Sequence, residues 1–161
     1  MATVVQASLA NTAFPLFLAG EARIAPAEVI LTDAARTFPL VQYTVMSQIA
    51  GSLKWYPWIT GNLGSTTGLQ YPMGIYLGDA ITAALENAGD ITNCPILIGG
   101  AGLMVDANLL VFDTGPTHAL AALTLSSVMT VPTNLAMIAE RWLNLLGIFP
   151  TGTLQGDLTE H

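Results

Sequence analysis

The sequence predicts an α+β protein: a small β-rich domain preceded by an extended N-terminal arm and closed by a C-terminal helix. Three observations carry this expectation. Residues 40–113 hold short alternating or continuous apolar runs separated by Gly- and Pro-containing stretches, the pattern of strands and turns. Residues 1–37 show no sustained helical period, and the pattern changes abruptly at Phe38-Pro39. Near the C-terminus, apolar residues recur at helical spacing between a capping residue and a glycine. The expected parts are therefore an arm (1–37), a domain (38–150) and a flexible tail (151–161).

Within the arm, Thr3-Val4-Val5 is β-prone, and Pro15, Gly20 and Pro26 interrupt any helix. Val41, Tyr43 and Val45 alternate with Gln42 and Thr44, as a half-buried strand does. Lys54-Trp55-Tyr56-Pro57-Trp58 reads as an aromatic strand whose proline assigns it to an edge or a strand end. Residues 61–68 read as a loop and 73–77 as a short strand, whereas 79–88 fits either a helix or a loop. Pro95-Ile96-Leu97-Ile98 and Leu109-Leu110-Val111-Phe112 read as buried strands, with a tight bend expected at Gly99-Gly100-Ala101-Gly102. Pro116 and the Ala- and Leu-rich run after it predict a second helix over 116–129. The C-terminal helix starts at Thr133 or Asn134, turns Leu135, Ile138, Trp142 and Leu145 onto one stripe, and stops at Gly147 before Ile148 and Pro150.

Composition narrows the function. Charged residues make up 9% of the 161, against a usual ~25%, while hydrophobic residues make up 52%. A monomer so poor in charge exposes apolar surface that subunit association would cover. The net charge of −7 leaves only Arg23, Arg36, Lys54 and Arg141 as cations. They are scattered, so there is no basic stripe to neutralise phosphates and no nucleic-acid partner is expected. Residues 7–20 are too short for a membrane span, and 119–138 is interrupted by Pro132 and several hydroxyl residues, so no membrane role is expected either. The start of the chain lacks the basic residues of a signal peptide. Cys94, the single cysteine, reads as packing.

Chemical motifs are present only in fragments. Asp113-Thr114-Gly115 after an apolar strand resembles the catalytic loop of aspartic proteases, which a homodimer would have to complete by pairing two Asp113 carboxylates. The chain beyond Gly115 reads as helix where that architecture needs strands, so a turn is the simpler reading. Asp113, His118 and Ser126 are close in sequence, but no Gly-x-Ser-x-Gly elbow accompanies them. Gly100-Ala101-Gly102 lacks the third glycine and the helix of a dinucleotide fingerprint. With His118, His161 and Cys94 unclustered, no metal ligand set is expected. We therefore expect no catalytic residues, no metal and no cofactor.

Taken in order, residues 38–150 resemble the lambda-type head decoration proteins of tailed phages. The matching series is Phe38-Pro39-Leu40, Lys54-Trp55 through Trp58, a Gly-rich loop, and Pro72-Met73-Gly74-Ile75-Tyr76-Leu77. It continues with Gly89-Asp90, the strand Ile96-Leu97-Ile98, a glycine turn, Leu109 to Phe112, and a last helix ending in Leu145-Leu146-Gly147-Ile148. Two features depart from the family: glycines replace the usual charged residue at 99–102, and the segment 116–132 is longer. The resemblance implies a β-tulip-like domain and a non-enzymatic homotrimer on the outer surface of the virion, bound to the major capsid protein of the expanded head. It further implies arms that add a strand to the coat, a role suited to Thr3, Val4, Val5, Phe14, Leu16, Phe17 and Leu18. Trp55, Trp58, Tyr76, Trp142 and Ile148 are then candidates for trimer or core contacts. The rival expectations are another trimeric virion component, such as a receptor-binding module, and the homodimeric aspartic protease.

Overall fold

The computed structural model describes residues 3–5, 15–29, 40–58, 68, 71–81, 91–113, 120–122 and 135–151. The architecture is β-rich with one helix among these residues, as the sequence predicts. The strands are β1 (Thr3–Val5), β2 (Phe17–Val29), β3 (Val45–Gln48), β4 (Trp55–Pro57), β5 (Gly74–Tyr76), β6 (Ile91–Asp106), β7 (Val111–Asp113), β8 (Leu120–Ala122) and β9 (Ile148–Thr151). Helix α1 spans Leu135–Leu145. Seven strands form one mixed sheet in the order β1-β2-β4-β3-β5-β6-β9, and β7 pairs with β8 apart from it.

The backbone of the fold is the antiparallel pair β2–β6, which runs from Phe17↔Val105 to Val29↔Ile91. Because β2 also bridges β4 at Val29↔Trp55, the pairings β2–β4–β3–β5–β6–β2 close on themselves. Side-chain alternation gives β3, β5 and β6 of this ring neighbouring residues buried on opposite faces. Val29, Trp55, Met46, Tyr76, Cys94 and Ile96 form one cluster, which draws on every strand of the ring as the lining of a closed ring must. Their sequence neighbours Val45, Ile75 and Leu97 belong to a second cluster, packed beneath Ala139 and Leu143 of α1 and Ile148 of β9. Strands buried on both faces read as continuous apolar runs, which is how Ile96-Leu97-Ile98 reads.

Several expectations need correction. The arm does not extend to residue 37, because Leu16 and Ala22 are fully buried and residues 17–29 are a strand of the main sheet. The alternation over 41–45 is not a strand throughout. Tyr43 adopts a left-handed φ of 69°, fixed by its N–H donating to the Tyr76 carbonyl at 2.7 Å, and β3 begins only at Val45. Gly99 to Gly102 do not make a hairpin bend, since β6 continues through them for its full 16 residues. Leu109, expected in a strand, closes a 3-10 turn over Ala107–Leu109, where the Asp106 carboxylate accepts from the Asn108 N–H at 2.9 Å. Within the expected helix 116–129, Leu120–Ala122 is instead a strand paired with β7, and the remaining residues lie outside those described. So do the candidate helix caps Thr133 and Asn134, the loop at 61–67, most of 79–88 and the tail from 152.

Helix α1 forms where expected but turns a different face inward. Ala139 and Leu143 are buried and Leu146 packs against them, a spacing of four and three residues, whereas Leu145 is 75% exposed. The side chains of Leu135 and Ile138 lie outside the described set. The stop is as expected: Gly147 sits at φ 76°, its N–H donating to the Asn144 carbonyl at 3.0 Å. Beyond it, Ile148 to Thr151 form β9 parallel to β6, with Leu103↔Ile148 and Asp106↔Thr151 as the outer rungs. Pro150 therefore lies within an edge strand instead of merely ending the helix.

Candidate functional site

The residues singled out in the sequence divide into three groups. Trp55, Trp58, Tyr76 and Ile148 are buried in the two clusters, so they are core and present no surface to another subunit. Trp142, the fifth of that set, lies partly exposed on α1 against Tyr71, with ring centroids 4.4 Å apart. Of the arm residues, Leu16 is core, Phe17 packs against the core and Leu18 is 44% exposed. Phe14 lies outside the described residues.

Thr3, Val4 and Val5 form β1, antiparallel to β2 in the register Thr3↔Ile24, Val4↔Arg23, Val5↔Ala22. Since the other edge of β2 is occupied by β6 from end to end, β1 lies on the edge that β4 joins further along at Val29. It is a terminal strand of the sheet, and β9 is the other.

Two surface features have no clear signature in the sequence pattern. Leu18 of β2, Met104 of β6 and Phe149 of β9 are each about two-fifths exposed, and the register Met104↔Phe149 brings the last two side by side. The available signal lies in Leu103-Met104-Val105 and Ile148-Phe149, where both parities are apolar: Leu103, Val105 and Ile148 fill the core, leaving Met104 and Phe149 to solvent. The second feature is an open cavity of about 430 Å³ where β2 and β4 part beyond their single bridge. Ala25, Pro26, Ala27, Trp55, Met73 and Ile98 supply its apolar lining, with Glu28 and Gln48 as polar members. Lys54 Nζ meets Glu28 Oε1 at 2.8 Å, an exposed pair worth at most about 1 kcal/mol.

The chemical fragments gain no partners in the described structure. Asp113 ends β7 opposite Leu120, while Thr114, Gly115, His118 and Ser126 lie outside the described residues. Gly100-Ala101-Gly102 is strand, where a dinucleotide site needs a helix start. Burial pushes the Cys94 thiol up, away from the thiolate that reacts. No group of three or more His, Cys, Asp or Glu side chains is placed to hold a metal among the described residues. Nor is any helix among them long and apolar enough to cross a membrane.

One buried group gives the core a pH signature. Burial, with the Cys94 thiol and Asp79 carboxylate adding to it, pushes the Tyr76 phenol from 10.0 up to about 12. Its hydroxyl donates to the Asp79 carbonyl at 2.6 Å. A raised phenol stabilises the fold fully below the unfolded value and loses that contribution as pH rises through the folded one. Stability measured by urea unfolding is thus expected to fall from about pH 10 towards pH 12, and Tyr76→Phe to remove much of that fall. A decline of the same size in the variant would place its cause elsewhere.

No family model matches the chain, and neither does any curated protein or solved structure.

Proposed function

We propose that this protein is a head decoration protein, a trimeric cement on the outside of an expanded tailed-phage capsid, with the β-rich domain as a β-tulip. One observation supports the reading: four of the family-like motifs fall on strands of the main sheet or at the helix that leads into it, while Leu109 to Phe112 falls on the 3-10 turn and β7. Trp55 to Trp58 covers β4, Met73 to Leu77 covers β5, Ile96 to Ile98 lies in β6, and Leu145 to Ile148 makes the α1–β9 junction. Low charge and exposed apolar side chains at Leu18, Met104, Leu145 and Phe149 support self-association and capsid contact. Nothing in the reading calls for chemistry, a cofactor or a nucleic acid. The β1 segment is the capsid-binding strand, and three copies per trimer raise the effective concentration of the second and third contacts.

The test is co-sedimentation with expanded, undecorated heads, comparing the full chain with one lacking residues 1–14. The cut stops before Leu16 because that residue is fully buried in the core, and removing it would destabilise the domain. The expected result is saturable binding by the full chain and a loss of about tenfold or more in the truncation. Failure of the full chain to bind removes the decoration reading.

A further inference from the structure

Strand pairing leaves a gap in the main sheet. One edge of β2 pairs with β1 up to Ile24 and meets β4 at Val29. Between those points, Ala25 to Glu28 have no strand beside them on that edge among the described residues. The open cavity of about 430 Å³ lies against this stretch, within the ~300–1,000 Å³ usual for small-molecule sites. β1 closes one end of the gap and the Val29↔Trp55 bridge closes the other, so an extended chain cannot run through it. At a rise of about 3.3 Å per residue the opening suits a compact ligand.

Its lining is amphipathic. Trp55, Met73, Ile98 and Leu146 give an apolar floor. The polar wall has the Glu28 carboxylate, the Gln48 amide and main-chain groups of β2 that no described strand takes up. Gln48 Nε2 donates to the Leu53 carbonyl at 2.9 Å, which orients that amide. Charge is balanced, because Glu28 Oε1 lies 2.8 Å from Lys54 Nζ and leaves no net charge to hold an ion. The segments that supply Met73 and Leu146 also bring Tyr71 and Trp142 together, with Tyr71 39% exposed. That pair adds flat apolar surface with a polar handle beside the cavity.

We propose that this gap binds a neutral hexopyranose, the terminal sugar of a glycan. A pyranose has the complementary shape, with C–H groups across its ring faces and hydroxyls round its rim. Its C–H face lies on the floor while its hydroxyls donate to Glu28 and exchange hydrogen bonds with Gln48 and the β2 main chain. An acidic sugar would set its own carboxylate against Glu28, so the site selects neutral rings. The site is independent of the decoration reading. On a particle carrying many copies, weak single-sugar contacts would sum to firm adhesion.

Saturation-transfer NMR on the full chain tests this, with methyl glycosides of glucose, galactose, mannose and N-acetylglucosamine as probes and glucuronic acid as the charged comparison. At least one neutral glycoside is expected to bind saturably, with a Kd of about 1 mM. Glu28→Gln, a change of charge at nearly constant size, should weaken it about tenfold. Ala25→Phe, which fills the gap, should abolish it, and unchanged urea midpoints would show both folds intact. If Ala25→Phe fails to fold, the partly exposed Glu28→Gln still decides the matter. Absence of saturable transfer from all four glycosides would overturn the proposal, as would binding that neither variant weakens. Tighter binding of glucuronic acid would overturn the neutral class. Self-association that Ala25→Phe relieves would make a second copy the occupant and overturn it too. Failure to sediment with heads bears on the decoration reading alone.

Discussion

Gly147→Ala is expected to destabilise the fold by about 3 kcal/mol or more, a large share of a typical domain's stability. The residue sits at φ 76°, and an added Cβ would collide with the carbonyl of Gly100. Neither side is able to yield. The Gly100 N–H donates to the Leu146 carbonyl at 2.9 Å, and the Leu103 N–H to the Gly147 carbonyl at 3.0 Å, so the helix exit is tied to β6 on both flanks. Two alanine controls separate crowding from backbone strain. Gly102 also has a positive φ, 60°, but nothing stands within 4 Å of its added Cβ, so Gly102→Ala should cost only about 1–2 kcal/mol. Gly51 has open space and no positive φ, so Gly51→Ala should be close to neutral. Urea midpoints for the three variants should rank in that order, and a Gly147→Ala no worse than Gly102→Ala would refute the close crossing of β6 and the helix exit.

Trp58→Ala should cost about 3–5 kcal/mol, because the side chain is fully buried and its removal leaves a void among packed neighbours. It packs in the cluster beneath α1, its ring centroid 5.9 Å from that of Phe112. Trp58→Phe separates volume from polarity. The indole Nε1 is buried with no hydrogen-bond partner among the described residues, so losing it relieves a desolvation penalty that partly offsets the smaller ring. The Phe variant should therefore lose less than half of what the Ala variant loses, as read by calorimetric unfolding. Equal losses would mean that Nε1 has a partner in solution.

Features that depend on local side-chain pattern are legible in the sequence. The aromatic strand at Trp55–Pro57, the strand at Gly74–Tyr76, and a helix ending at Gly147 all follow from residues within a few positions of one another. Features that depend on distant pairing are not. Gly99 to Gly102 look like a bend in isolation, yet Gly99 and Gly100 sit where other backbone passes close by. A Cβ on Gly100 would meet the Glu21 carbonyl at 2.8 Å and that of Gly147 at 3.1 Å. The same holds for β2, whose Pro26 and Gly20 argue against a central strand until β6 is known to lie along one edge and the other is found partly open. The inward face of α1 is ambiguous in the sequence because the helix carries two apolar stripes, and which one packs inward depends on where β6 and β9 lie. As for the candidate site, the β-prone Thr3-Val4-Val5 is legible, but not that it finds β2 of the same chain.

The long ladder between β2 and β6 also governs when this chain can fold. Ile24 pairs with Leu97, which leaves the ribosome more than seventy residues later. At ~5–20 residues per second, the nascent β2 waits several seconds for its partner. The parallel rung Leu103↔Ile148 is completed only after a further 45 residues beyond Leu103 are made. A polypeptide stalled anywhere before residue 106 lacks the full central pair, so its apolar strands stay unpaired and prone to aggregation. Folding of this sheet thus waits until residues 17–151 have all emerged, and cells making the protein at high level would need to hold many such unfinished chains apart.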